Sequence, residues 1–145
     1  MKSNITGSAT LEINVPAEKV WEALTTPALI KKYFFNTDAE SDWKEGSPIT
    51  FSGEWEGKKY QDKGTILKVE KNKWFSYNYW SSMSGIEDKP ENYAVISYIL
   101  LERDGITTLA IEQENIPDEK MKEHSQQNWM TVLKNLKKML EEKNA

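Results

Sequence analysis

A chain of 145 residues can bury about 70% of its unfolded surface in one core, and the lack of cysteine excludes disulfide frameworks, thiolate nucleophiles and cysteine-ligated metal centres. Its net charge of −4 comes from 19 basic and 23 acidic residues spread along the chain, so it offers no basic stripe for a phosphate backbone and nucleic acid is not expected as a partner. No apolar run is long enough to lead into or to span a membrane. The expectation is one domain over residues 1–145, cytoplasmic, with no membrane partner.

The first pattern is a strand. Ala9, Leu11, Ile13 and Val15 alternate with Thr10, Glu12 and Asn14, which gives one apolar face. "VPAEKVWEALTTPALIKKYFF" then reads as two short helices. Pro16 and Pro27 suit first helical turns, where no intrahelical bond needs the missing N–H, and Thr26 is an N-cap candidate. The apolar stripes are Ala17, Val20, Trp21 and Leu24, then Leu29, Ile30, Tyr33 and Phe34.

From about Glu40 the period falls to two. "SPITFSGEW", "KYQDKGTILKVEK", "KWFSYNYWSS", "NYAVISYILLER" and "ITTLAIEQEN" are strand-like, being rich in β-branched and aromatic residues. Turns at Glu56-Gly57-Lys58, Lys71-Asn72-Lys73 and Arg103-Asp104-Gly105 are short enough for antiparallel hairpins. One link, "SMSGIEDKPE", is long, and links of that length often carry function. Pro117 opens a final helix, with Asp118 and Glu119 at its start and Lys137, Lys138 and Lys143 near its end, signs that complement the helix dipole. Trp129, Val132, Leu133, Leu136 and Leu140 form its stripe, extended backwards by Met121 and Ser125. The order β-α-α-β-β-β-β-β-α predicts an α+β fold in which the long helix covers one face of an antiparallel sheet.

The segment "WFSYNYW" (74–80) places Phe75, Tyr77 and Tyr79 on one face. With Phe51, with Val95, Ser97 and Ile99 of the next strand, with Ile111 and Gln113 of the last, and with Trp129 and Leu133 of the helix, they form the expected lining of an apolar enclosure carrying a few polar tips. Ligand pockets have that mixture. A solid core whose tyrosines reach the rim or a water, since a buried hydroxyl must find a partner, is the alternative. No catalytic residue, metal or cofactor is expected. His124 is the only histidine, in a polar stretch, and no nucleophile–base pair, metal-ligand spacing or glycine-rich phosphate loop accompanies it.

"PAEKVWEALTTPALIKKYF" resembles the N-terminal signature of bacterial homologues of the activator of heat-shock protein 90 ATPase, members of the START-like (SRPBCC, helix-grip) superfamily. Pro16, Val20, Trp21, Ala23, Leu24, Thr25, Pro27, Leu29, Ile30, Tyr33 and Phe34 stand at the signature positions, with Tyr33 where the family often has Trp. "KGTILKV" is similar to a family strand, and Trp129, Leu133 and Leu136 to its closing helix. The resemblance implies a helix-grip fold, a curved sheet around the C-terminal helix with a cavity between. The leading functional expectation is a binder of an apolar or aromatic small molecule that does no chemistry. The alternatives are a co-chaperone-like partner of a heat-shock ATPase and a cyclase- or hydrolase-like enzyme using the same cavity.

Overall fold

The computed structural model describes residues 5–34, 37–55, 57–80, 87–116 and 118–143. Strand β1 (Ile5–Ile13) leads into helices α1 (Ala17–Thr25) and α2 (Pro27–Tyr33). Strands β2 (Asp38–Ser41), β3 (Pro48–Trp55), β4 (Lys58–Glu70), β5 (Trp74–Tyr79), β6 (Ala94–Arg103) and β7 (Ile106–Ile116) follow, and helix α3 (Glu119–Lys143) closes the chain. All neighbouring strands are antiparallel, in the order β1-β7-β6-β5-β4-β3-β2. The curved sheet holds one strand more than the alternation predicts. β2 is the extra one, and its four residues "DAES" carry a single buried apolar side chain, Ala39, too few to show a period.

Local chemistry explains the boundaries. Pro16 stands at the N-cap of α1 and Pro27 at the first position of α2, where proline's fixed φ suits the helix start. Thr26 occupies the N-cap position of α2, but its side chain makes no capping bond. α1 is capped from a distance instead, as the Ala17 N–H donates to Glu102 Oε1 of β6 at 2.7 Å. Asp118 caps α3 by accepting the Met121 N–H at 2.8 Å; Pro117 lies outside the described residues. The β6–β7 turn is made by Asp104 (φ 53) and Gly105 (φ 79), two consecutive left-handed residues whose twist matches a two-residue hairpin.

α3 packs chiefly along β1 and buries Trp129, Val132, Leu133, Leu136 and Leu140 against the inner sheet face. The stripe stops there. Met121 is exposed and Ser125 half-buried, so the first turns of α3 project beyond the core rather than extending it. At the far end, Glu141 accepts the Asn14 N–H at 2.9 Å and pairs with Lys137, which also donates to the Glu12 carbonyl at 2.9 Å. These bonds fix the helix to the end of β1.

Candidate functional site

The inner face of the sheet is an aromatic cluster. Phe75 lies at its middle, with ring centroids at 6.2 Å to Trp21, 5.8 Å to Trp43, 5.4 Å to Tyr77 and 5.7 Å to Tyr98. Phe51 adds contacts to Tyr77, Tyr79 and Phe34, and Trp129 of α3 closes over Phe34 and Tyr98. The polar tips have partners. The Trp129 indole N–H donates to Gln113 Oε1 at 2.9 Å, the Tyr33 hydroxyl to the Ala23 carbonyl at 3.0 Å, and Thr107 to the Val15 carbonyl at 2.8 Å. The Tyr77 and Tyr98 hydroxyls bond each other at 3.1 Å. At one margin the Tyr79 hydroxyl donates to Asp62, a carboxylate only 7% exposed, and the Thr37 and Tyr60 hydroxyls lie 2.8 Å apart.

Eight of the residues expected to line an enclosure therefore face inwards: Phe51, Phe75, Tyr77, Tyr79, Ile111, Gln113, Trp129 and Leu133. Val95, Ser97 and Ile99 do not. β6 turns its other face to the core, burying Ile96, Tyr98 and Leu100, and Val95, Ser97, Ile99 and Leu101 lie on the outer face. The register requires this. Phe75 stands opposite Tyr98 and Ser76 opposite Ser97, and opposed residues in an antiparallel pair share a face. Tyr98, which is absent from the expected lining, is thus a central member of the cluster.

The enclosure is filled in this structure. The space bounded by Leu24, Ile30, Tyr33, Phe34, Trp43 and the rings of Phe51, Phe75, Tyr77 and Tyr98 measures about 10 Å³, room for one water at most. The hydroxyls inside are held neutral. Burial pushes Tyr98 up to about 12, partly offset by the Tyr77 hydrogen bond, and raises Tyr33 and Tyr77 well above the usual phenol value, with the Tyr98 charge adding to both. A raised acid favours the folded state in full below the unfolded pKa near 10 and loses that contribution as pH rises through the folded values. The contribution of these three groups should be level up to about pH 10 and fall above it. An absorbance titration of the six tyrosines should leave Tyr33, Tyr77 and Tyr98 un-ionised until the chain unfolds. Smooth titration of all six in the folded protein would contradict the closed cluster.

The outer face differs. Trp74 pairs with Ile99, and beside them Leu101 is 63% exposed; they border an open depression of about 560 Å³ at the end of β5, shared with Glu70, Asn72, Lys73 and the inward-facing Leu100 and Glu102. The Lys68 ammonium lies 5.6 Å from the Trp74 ring centre, a cation–π contact that orients the indole. Of the long link between β5 and β6, residues 81–86 lie outside the described residues. The described end is pinned by Asp88, which takes the Lys63 ammonium at 2.6 Å and the Tyr93 hydroxyl at 2.7 Å, and these two bonds hold its carboxyl below the usual range. His124 is exposed on α3. Among the described residues no group of three or more acidic or histidine side chains could hold a metal, and no helix is long and apolar enough to cross a membrane.

Comparison with known proteins agrees with this architecture. No curated protein matches the chain. The solution structure of ChR145 from Cytophaga hutchinsonii is 44% identical, with a TM-score of 0.85 over 99% of this chain and 98% of that one. Protein MLL2253 from Mesorhizobium loti is 25% identical, with a TM-score of 0.77 over 95% and 98%. The fold is shared at 18% identity by PFC0360w, an HSP90 activator from Plasmodium falciparum, with a TM-score of 0.75 over 94% and 96%. Residues 14–141, from the end of β1 to the last turns of α3, match the family described as activator of Hsp90 ATPase homolog 1-like protein, and the chain belongs to that family.

Proposed function

We propose that this protein acts as a binding partner of a heat-shock ATPase of the Hsp90 class, docking it on the outer face of the sheet around Trp74, Ile99 and Leu101. The observation that carries the reading is that apolar strip. A tryptophan and two aliphatic residues stand in water around an open depression, with charged side chains on the rim. Protein interfaces have that anatomy, an apolar centre rich in aromatic anchors inside a polar margin. Membership of a family named for activation of the Hsp90 ATPase supports that class of partner. A small-molecule role, by contrast, would need room that the closed interior does not offer.

The test is the double variant Trp74→Ala/Leu101→Glu. Both side chains are exposed, so the fold should stay within about 1 kcal/mol of the wild type. Binding to the Hsp90-class ATPase of the source cell should weaken at least tenfold, since truncation of a central anchor costs about 2 kcal/mol or more. Stimulation of ATP hydrolysis should fall with it. Wild-type binding by the variant would remove the outer face as the docking site, and failure of the wild-type protein to bind would remove the partner class.

A further inference from the structure

β6 and β7 run on past the start of β5. The last pair between β5 and β6 is Trp74 with Ile99, whereas β6 and β7 stay paired as far as Arg103 and Ile106. Just before Trp74, the Leu100 N–H still donates to the Lys73 carbonyl at 2.8 Å, while the Lys73 N–H turns back to the Glu70 carbonyl at 2.9 Å. Main-chain groups along an antiparallel strand point to alternate sides, so Glu102 is the next residue of β6 to direct its N–H and C=O the way Leu100 does. Among the described residues no strand pairs with it on that side. The open depression of about 560 Å³ takes the place where β5 would have continued, with Lys73 and Trp74 on one side and Leu101 and Glu102 on the other.

Asn72, in the same depression, is a second and independent sign. Its side-chain Oδ1 is buried and, among the described residues, has no hydrogen-bond partner. Buried acceptors nearly always have one. The terminal torsion of an asparagine is broad, so its amide can turn to a donor that arrives in the depression.

We propose that this notch receives an extended peptide segment, apolar–basic–apolar in sequence, whose central residue pairs its main chain with Glu102. The Glu102 N–H would donate to a carbonyl of the segment and the Glu102 carbonyl accept an N–H, the chemistry of strand addition at an open sheet edge. Opposed residues share a face, so the central side chain lies on the inner side with Glu102 and its neighbours on the outer side beside Leu101 and Trp74. Charge sets the basic centre: two carboxylates, Glu70 and Glu102, line the depression against one ammonium, Lys73. Glu102 holds the Ala17 N–H with Oε1 and keeps its other oxygen for the segment. An arginine brings five N–H donors, enough for that oxygen and for Asn72. Placing the segment in an Hsp90-class ATPase rests on the docking proposed above; the notch itself does not.

The experiment follows hydrogen exchange at the Glu102 amide of the isotope-labelled full chain, alone, with the peptide acetyl-Val-Arg-Val-amide, and with the unlabelled ATPase. Alone, Glu102 should exchange at least tenfold faster than Ile99 and Leu101, which pair with β7. The peptide should bind saturably at millimolar concentration, slow that exchange, and lose at least tenfold in affinity when its arginine nitrogen is methylated, which removes the main-chain donor. Glu102→Gln, which keeps an acceptor for the Ala17 N–H, should bind it several-fold more weakly. Bound ATPase should protect Glu102 in the same way. Slow exchange of Glu102 in the free protein, no saturable peptide binding, or equal affinity for the methylated peptide or in Glu102→Gln would each overturn the proposal. A bound ATPase that leaves Glu102 unprotected would overturn the assignment of the segment to that partner, with docking on the outer face left standing. An ATPase that does not bind, beside a peptide that protects Glu102, would remove the docking and uphold the notch.

Discussion

Replacing Gly64 with alanine should destabilise the protein by about 3 kcal/mol, at the upper end for a small-to-large change. An ideal Cβ at this position would lie 1.7 Å from the backbone carbonyl oxygen of Asn78 and 2.7 Å from its carbonyl carbon. A flexible side chain could swing away, but a neighbouring strand cannot. β4 and β5 are pressed together here. The Thr65 N–H donates to Asn78 Oδ1 at 2.7 Å, and Lys63 and Trp80 exchange backbone bonds of 3.1 and 2.8 Å. Admitting the methyl group means separating those strands and losing some of those bonds. Alanine also restricts the unfolded chain, which offsets about 0.4–1 kcal/mol, so the steric term wins by a wide margin. Urea unfolding should show the loss with little change in slope, and melting should fall by about 10 °C. A loss under about 1 kcal/mol would show that β4 and β5 do not approach this closely.

Phe75→Ala should cost about 3–5 kcal/mol, a third or more of the stability of an ordinary domain. Its ring is buried and touches Trp21, Trp43, Tyr77 and Tyr98, so removing it strips four aromatic neighbours of a partner and leaves a hole that rings fixed on α1, the β2–β3 link, β5 and β6 cannot collapse to fill. Phe75→Leu, which keeps most of the volume, should cost less than about 1.5 kcal/mol. Trp74 is the internal control. It is the next residue and larger, but it points to the outer face, so Trp74→Ala should change stability by less than about 1 kcal/mol. Equal losses at the two positions would mean that the inner and outer faces of β5 have been assigned wrongly.

Much of this architecture could be read from the order of periods. The switch from 3.6 to two after α2 and back before α3 outlines the helix-grip layout, and the face of β5 follows from "WFSYNYW" alone, because Phe75, Tyr77 and Tyr79 alternate with Ser76 and Asn78. β6 gives no such signal. In "AVISYILLER" Val95, Ile99 and Leu101 are as apolar as Ile96 and Leu100, so alternation cannot decide which set is inside. The information was present one strand later. The Asp104-Gly105 turn pairs Arg103 with Ile106, and counting back across it from the buried Thr107 and Leu109 places Glu102, Leu100 and Tyr98 inwards. The same count accounts for Glu102, which faces α1 and caps it. Two other features were not legible. β2 is too short to show a period, and the left-handed backbone at Trp43 depends on how its indole packs, which tertiary contacts decide. The fullness of the interior belongs to the same class, since it is set by how the aromatic rings interdigitate rather than by which residues face one another.

Docking of an Hsp90-class ATPase on the outer face of the sheet can be read residue by residue. The direct measurement is the change in backbone amide signals of isotope-labelled protein when the unlabelled Hsp90-class ATPase of the same cell is added. Perturbed signals should cluster at residues 67–76, 95–103 and 106–112, around Trp74, Ile99 and Leu101, while those of Val20, Leu133 and Leu136 in the core stay in place. Perturbations confined to the link 42–47 and the exposed face of α3, with the outer strands silent, would contradict it.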